Sequence, residues 1–321
     1  MNKRLMPFFA STVLLALLWG ALGVETAVQA TSHIIYVNHA ATGGNDGTTW
    51  ADAYTDLQDA LGEAAAEDEI WVATGVYTPG ATVSDTFGLV PGVAMYGGFA
   101  GGETARDQRD WEANPTVLSG DIGGDDTTDP HGVVITTGHI VGDNSYHVVT
   151  ADGTTGTPIT TTTVLDGFII TAGYANGLED FGAAGGGLYC HATGLGSECP
   201  PIANTTFSGN RAFHGGAMFS LGSNYGNSSP VLSNVRFVRN SGEFVGALSN
   251  IGEENGISNP ILINVTFSEN SADLYTDGSS LGGVAGAMYN GGHYGGTSRP
   301  VLTDVVFIKI RLICLGEQCL I

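Results

Sequence analysis

Basic residues are scarce in this 321-residue chain: 10 lysines and arginines stand against 32 aspartates and glutamates, a formal net charge of −22. Such a surface repels phosphate backbones and anionic headgroups, which excludes nucleic acid and direct lipid-headgroup binding as tasks. Uronic-acid polymers would be repelled too, unless a cation intervened. The acidity is spread thinly, because only 13 % of residues are charged while 49 are glycine. It therefore suits solubility outside the cell rather than an acidic tail. The eight histidines lack any His-Glu-x-x-His spacing, so no histidine metal site is assigned. After residue 30 no apolar run approaches the roughly 18 residues that cross a bilayer, so no transmembrane span is expected in the mature chain.

The chain opens with a leader. Lys3 and Arg4 precede the apolar stretch 13–22, and Val28-Gln29-Ala30 supplies a small-residue cleavage site; residues 1–30 read as a signal peptide. Cysteines number only four. Cys190 and Cys199 flank a Gly- and Pro-containing loop in an exported chain and are expected to pair. Their Cys-x8-Cys spacing lacks the close pairing of zinc ligands.

One sentence of residues is written four times: Pro200–Phe207, Pro230–Phe237, Pro260–Phe267 and Pro300–Phe307, in steps of thirty, thirty and forty. The first three continue as Phe207-x-x-Asn210, Phe237-x-x-Asn240 and Phe267-x-x-Asn270, then reach Gly-Ala corners at 216–217, 246–247 and 286–287. A fixed period of this size marks a solenoid, in which each unit buries its apolar face against its neighbours. Val231–Phe237 and Ile261–Phe267 are short β-branched and aromatic runs bounded by turn residues, hence strands. Alternation points Val235, Phe237, Val265 and Phe267 inward, and Asn234, Arg236 and Thr266 outward. Stacked units place each phenylalanine about 4.8 Å from the next, with Phe307 closing the column. Asn210, Asn240 and Asn270 are expected at a corner in left-handed conformation, stacked as an amide ladder.

Upstream, Thr55-Asp-Leu-Gln58 reads as a capping box opening a helix over 55–66, with Leu57, Ala60, Leu61, Ala64 and Ala65 on one face. It is expected to cap the exposed end of the array. Strands are expected at 93–96, 116–118, 133–136, 146–150 and 164–170, and the regular repeats over 160–307. Segments 174–184, 222–229, 252–259 and 274–283 are expected as variable loops on one face, where a ligand would bind.

Phe-x-x-Asn combined with Gly-Gly-Ala-Met resembles the repeat of the chlamydial polymorphic outer membrane proteins and of bacterial secreted right-handed parallel β-helices. Ile35-Tyr-Val-Asn38, residues 50–61, residues 70–79, Tyr96-Gly-Gly-Phe99 and residues 118–122 are similar to the opening of pectin-lyase-like helices. The resemblance implies an all-β, right-handed parallel β-helix over 31–307 with a short N-terminal capping helix. It implies a protein secreted by a bacterium or held at its cell surface or outer membrane. A non-enzymatic adhesive, binding or structural module fits best, its partner an extracellular polysaccharide or a host or cell-surface ligand; a polysaccharide lyase or glycoside hydrolase of the same fold is the alternative. The aspartate motifs and Gly-His-Gly of the pectin hydrolases are missing, and no catalytic residue or resident cofactor is assigned.

Two candidate sites remain. Asp121, Asp125 and Asp126 lie on a glycine-rich loop whose oxygen ligands could bind calcium, but the spacing of a known calcium loop is absent and a solvated turn is the favoured reading. Arg236 and Arg239 share one repeat and could form an outward basic spot for an acidic sugar, although a plain surface role is the favoured reading. After Phe307 the expected x-x-Asn and glycine corner give way to a basic, apolar segment with Cys314 and Cys319. Residues 308–321 are expected as an aberrant tail from a frameshift or truncation.

Overall fold

Runs of β-branched and aromatic residues separated by Gly and Asn build strands too short to be stable alone. In the computed structural model, described for residues 32–154, 156–177, 183–194, 196–272 and 283–312, such strands stack in parallel. The expected signal peptide, Cys314, Cys319 and the rest of the tail beyond 312 lie outside the described residues. Three parallel sheets of 13, 6 and 5 strands form, and they are consistent with the all-β solenoid expected from the period.

The repeat seen in the sequence is the register of these sheets. Ile35, Ile70, Met95, Leu165, Ile202, Leu232, Leu262 and Leu302 are successive pairing partners along one line. Tyr77, Leu118, Ile170, Phe207, Phe237, Phe267 and Phe307 form a second. Phe87, Val149, Leu188, Met218, Leu248 and Met288 form the third, on the six-stranded sheet. The phenyl rings stack at 5.1, 4.8 and 5.1 Å between centroids, close to the strand spacing. Phe207, Phe237 and Phe267 are fully buried, each contributing about 1.5–3 kcal/mol of transfer free energy. Val235 and Val265 also point inward and Asn234 and Arg236 outward, as alternation required. Ala272 pairs with Gly242 and Ala285 with Val245, so this unit has ten more residues between the two positions than the one before it, as many as the segment 273–282. That segment accounts for the forty-residue step and lies outside the described residues.

Several local expectations are corrected. The helix runs only over Leu57–Glu63, and its N-cap is Asp56, whose side chain accepts from Gln58 N at 2.9 Å. Thr55 instead donates to Asn45, and the Gln58 amide reaches Pro79 O and Thr86 O. The buried face is Leu57, Ala60 and Leu61, packed near the strands Ile34–Val37 and Phe87–Gly88. Residues 133–136 form no strand; only a bridge between Thr128 and Val134 occurs there, before a 3-10 turn at Thr137–His139. Segments 222–229 and 252–259 are one recurring tight turn, with Asn224–Tyr225 and Glu254–Asn255 both at positive φ.

The left-handed corner also falls one residue earlier than expected, at Gly209, Arg239, Glu269 and Lys309, with φ of 64, 52, 57 and 49°. Asn210, Asn240 and Asn270 follow it, fully buried. The Oδ1 of Asn240 accepts from both N and Nδ2 of Asn210 at 3.0 Å. Asn270 Oδ1 receives the same pair from Asn240. Each Nδ2 also donates to the strand of the preceding unit, at Ile170 O, Phe207 O and Phe237 O. The expected amide ladder is present, inside the core rather than at a turn. The tail's first residues also follow the array: Val301–Ile308 pairs with Ile261–Ser268, Lys309 takes the left-handed corner, and Arg311–Leu312 pairs with Ser271–Ala272. Ile308, Arg311 and Leu312 thus still pair within the sheets.

Candidate functional site

A groove of about 740 Å³ lies along the outer face of the largest sheet. Its floor comes from the repeats: Ile169, Thr206, Arg236 and Thr266 are partners on adjacent strands, flanked by Asn204, Asn234 and Asn264. Its wall is the non-repeating segment 106–115, which brings in Trp111, Glu112 and Pro115. This wall approaches the sheet at Gly98, where φ is 93° and an added Cβ would stand 2.7 Å from the Trp111 backbone. Only glycine fits both demands.

Two arginines hold the wall in place. Arg106 donates to Glu69 Oε1 at 2.7 Å and to Tyr96 Oη at 2.9 Å, and its guanidinium lies over the Tyr96 ring. Arg109 is buried, with 8 % of its side chain exposed, and pairs with Asp166 Oδ2 at 2.8 Å while donating to Gly97 O and Asp166 O. Its guanidinium sits 5.1 Å from the Trp111 ring, a cation–π contact that fixes the indole. Trp111 remains 38 % exposed at the groove. Asp110 Oδ1 closes the turn by accepting from Glu112 N and Ala113 N.

Asp166 serves a second purpose. Its Oδ1 accepts from Asn204 Nδ2 at 2.8 Å; Asn204 Oδ1 accepts from Asn234 Nδ2 at 3.0 Å, and Asn234 Oδ1 from Asn264 Nδ2 at 2.8 Å. This is a second amide ladder, on the outside. Asn204, Asn234, Asn264 and Asp304 all adopt φ near 50°, a conformation asparagine and aspartate tolerate.

The expected site residues are placed as follows. Arg236 lines the groove and lies 3.5 Å from Glu112 Oε1. Arg239 stands at the corner away from it and pairs with Glu269 at 2.7 Å, which Lys309 also reaches at 3.0 Å. The two arginines thus form no common basic spot, because each has a carboxylate partner. Asp121, Asp125 and Asp126 do converge, with ligand oxygens within 4.8 Å of one another. Their oxygens also hold the loop: Asp121 accepts from the N–H groups of Gly124, Asp125 and Asp126, and Asp126 from Val141 N and Asn144 Nδ2. Burial pushes the Asp126 carboxyl upward against those bonds. Cys190 and Cys199 form a disulfide with Cα atoms 5.9 Å apart.

On the outer face of the six-stranded sheet, Tyr189 stacks on Phe219 at 5.8 Å beside Ala184 and Leu221. His214 packs against Phe244 and Phe213 at 4.6 and 4.9 Å, and its buried Nδ1 has no partner among the described residues. Burial lowers its pKa to about 4.

The wall was missed from the sequence, although a signal existed. Arg106 and Arg109 are the only lysines or arginines between Arg4 and Arg211, and a tryptophan follows two residues later. Compared with known protein families, curated proteins and solved structures, the chain matches none.

Proposed function

We propose that this chain is an exported right-handed parallel β-helix protein of the polymorphic-membrane-protein-repeat type, acting at or outside a bacterial cell surface as a non-enzymatic binding module. Its ligand is an extracellular polysaccharide held in the groove beside Trp111. The observation that carries this reading is the groove itself: an exposed indole fixed by a buried arginine, facing a floor of amide and hydroxyl side chains. Sugars bind proteins through this combination, an aromatic surface for the apolar ring face and planar polar groups for the hydroxyls. The ionisable groups lining the groove are Glu112 and Arg236, which partner each other. General acid–base cleavage needs two positioned groups of distinct protonation, which this pair does not supply.

The test is a panel of soluble polysaccharides, recording retention and cleavage products together. Retention without cleavage, weakened by Trp111→Ala, is the expected result. Cleavage would move the chain to the alternative, a polysaccharide lyase or glycoside hydrolase, and retention indifferent to Trp111→Ala would remove the groove from the account.

A further inference from the structure

We propose that the groove selects a neutral glycan whose sugar units carry vicinal hydroxyl pairs, laid along the stacking direction against the outer amide ladder; this rests on the groove being a glycan site. The argument begins at Asp166. A carboxylate only accepts hydrogen bonds, and the Oδ2 of this one lies 2.8 Å from the buried Arg109 guanidinium. Asn204 must therefore turn its Nδ2 toward Asp166, which leaves its Oδ1 facing Asn234, and the same orientation passes to Asn264. The ladder is polar, and its direction is set by a fixed charge.

A carboxamide has two N–H donors and two acceptor lone pairs. Within the ladder Asn234 uses one donor on Asn204 and one lone pair on Asn264. One donor and one acceptor remain on Asn234, Asn264 keeps one donor and its Oδ1, and both side chains are exposed. The shared left-handed backbone repeats this pair in one orientation at the strand spacing of about 4.8 Å. A vicinal diol presents the complementary pair, one hydroxyl donating to Oδ1 and its neighbour accepting from Nδ2. Every internal ring of a 1,4-linked glucan carries such a pair, at C2 and C3. Uronate chains meet an acidic protein of net charge −22 with Glu112 in the wall and Arg236 beside it already partnered.

The experiment compares binding of the whole chain to a soluble 1,4-linked neutral glucan, to the same polymer after periodate oxidation and borohydride reduction, which open the vicinal diols without adding charge, and to polygalacturonate. A 1,3-linked glucan, which has no vicinal pair within the chain, is the second control. Losing two hydrogen bonds per contacted amide predicts retention about tenfold weaker for the oxidised polymer and the 1,3-glucan. Asn234→Gly, which keeps the backbone conformation and removes the amide, should weaken the intact glucan several-fold and leave the oxidised polymer unchanged. Equal retention of intact and oxidised polymer, or preference for polygalacturonate, overturns the diol assignment. If retention in that case still falls with Trp111→Ala, the groove reading survives; if no polymer is retained, both fail. Should Asn234→Gly not fold, the wild-type comparison of the polymers decides alone.

Discussion

Replacing Asn240 by alanine isolates what the inner ladder contributes. The side chain is fully buried and makes four hydrogen bonds, two accepted from Asn210 and two donated, to Phe207 O and Asn270 Oδ1. The substitution leaves the Asn210 backbone N–H without its acceptor, which costs about 1–3 kcal/mol for an orphaned buried donor. The other three bonds contribute about 0.5–1.5 kcal/mol each. The expected loss is about 2.5–7.5 kcal/mol, a large share of the roughly 5–15 kcal/mol that holds a domain together. Asn234→Gly is the matched control: it lies in the same repeat, also bonds its neighbours, keeps the left-handed backbone at φ 55° and is exposed. It should change stability by no more than about 0.5 kcal/mol. Urea unfolding followed by circular dichroism measures both midpoints. If Asn240→Ala unfolds within 1 kcal/mol of the parent (taking roughly 1 kcal/mol as the cost of one ordinary bond), the ladder is not a closed buried network and the reasoning fails.

Arg239→Gly should be neutral or stabilising by up to about 1 kcal/mol, since relief of the left-handed strain at φ 52° offsets loss of an exposed ion pair with Glu269; a loss above that in urea unfolding would show that the pair matters more than the backbone. Burial lowers the His214 pKa to about 4 from 6.5, so its neutral form stabilises the fold above pH 6.5 and this contribution is lost as pH falls from there toward 4. Melting temperature against pH should decline over that window, and His214→Phe should flatten the decline; an unchanged slope would place the acid sensitivity elsewhere. Removing the Cys190–Cys199 bridge as the double serine variant opens a loop of nine residues' separation and should cost about 2–3 kcal/mol, read as a lower urea midpoint that reduction of the parent reproduces.

The period and the inward phenylalanines could be read from residues alone because each depends on a local pattern repeated in register, and the disulfide because its two cysteines lie only nine residues apart. The corner could not. Its positions hold Gly209, Arg239, Glu269 and Lys309, which share no turn chemistry, so the local preference for asparagine pointed to the neighbouring residue. Tertiary stacking overrode it: a buried amide satisfying two backbone groups outweighs about 1–2 kcal/mol of strain at an exposed arginine or a half-buried glutamate. The groove was hidden for another reason. Its wall is a single non-repeating segment, and Arg109 finds its partner Asp166 57 residues later, a distance no period reports.

The same residue type thus performs opposite tasks at two points of one repeat. Asparagine three positions after each phenylalanine is enclosed and saturated: Asn240 uses its amide on Asn210, Asn270 and Phe207 O. Asparagine three positions before it, as in Asn234, is chained only to its neighbours and keeps half of its bonding capacity facing solvent. A saturated ladder can only hold the array together, so its removal should be read in stability. A half-used ladder contributes little to stability, and an exposed row of this kind, oriented from one end by the Arg109–Asp166 pair, has capacity left for recognition. Arg109→Lys separates the two. Lysine keeps the charge but loses the fork that reaches Asp166, Gly97 and the Trp111 ring together, so it should weaken glycan retention through a displaced wall while leaving the buried ladder, and the urea midpoint it sets, within about 1–2 kcal/mol of the parent. Equal losses in binding and in stability would mean that wall and core are one structural unit, and that the outer ladder has no separate role.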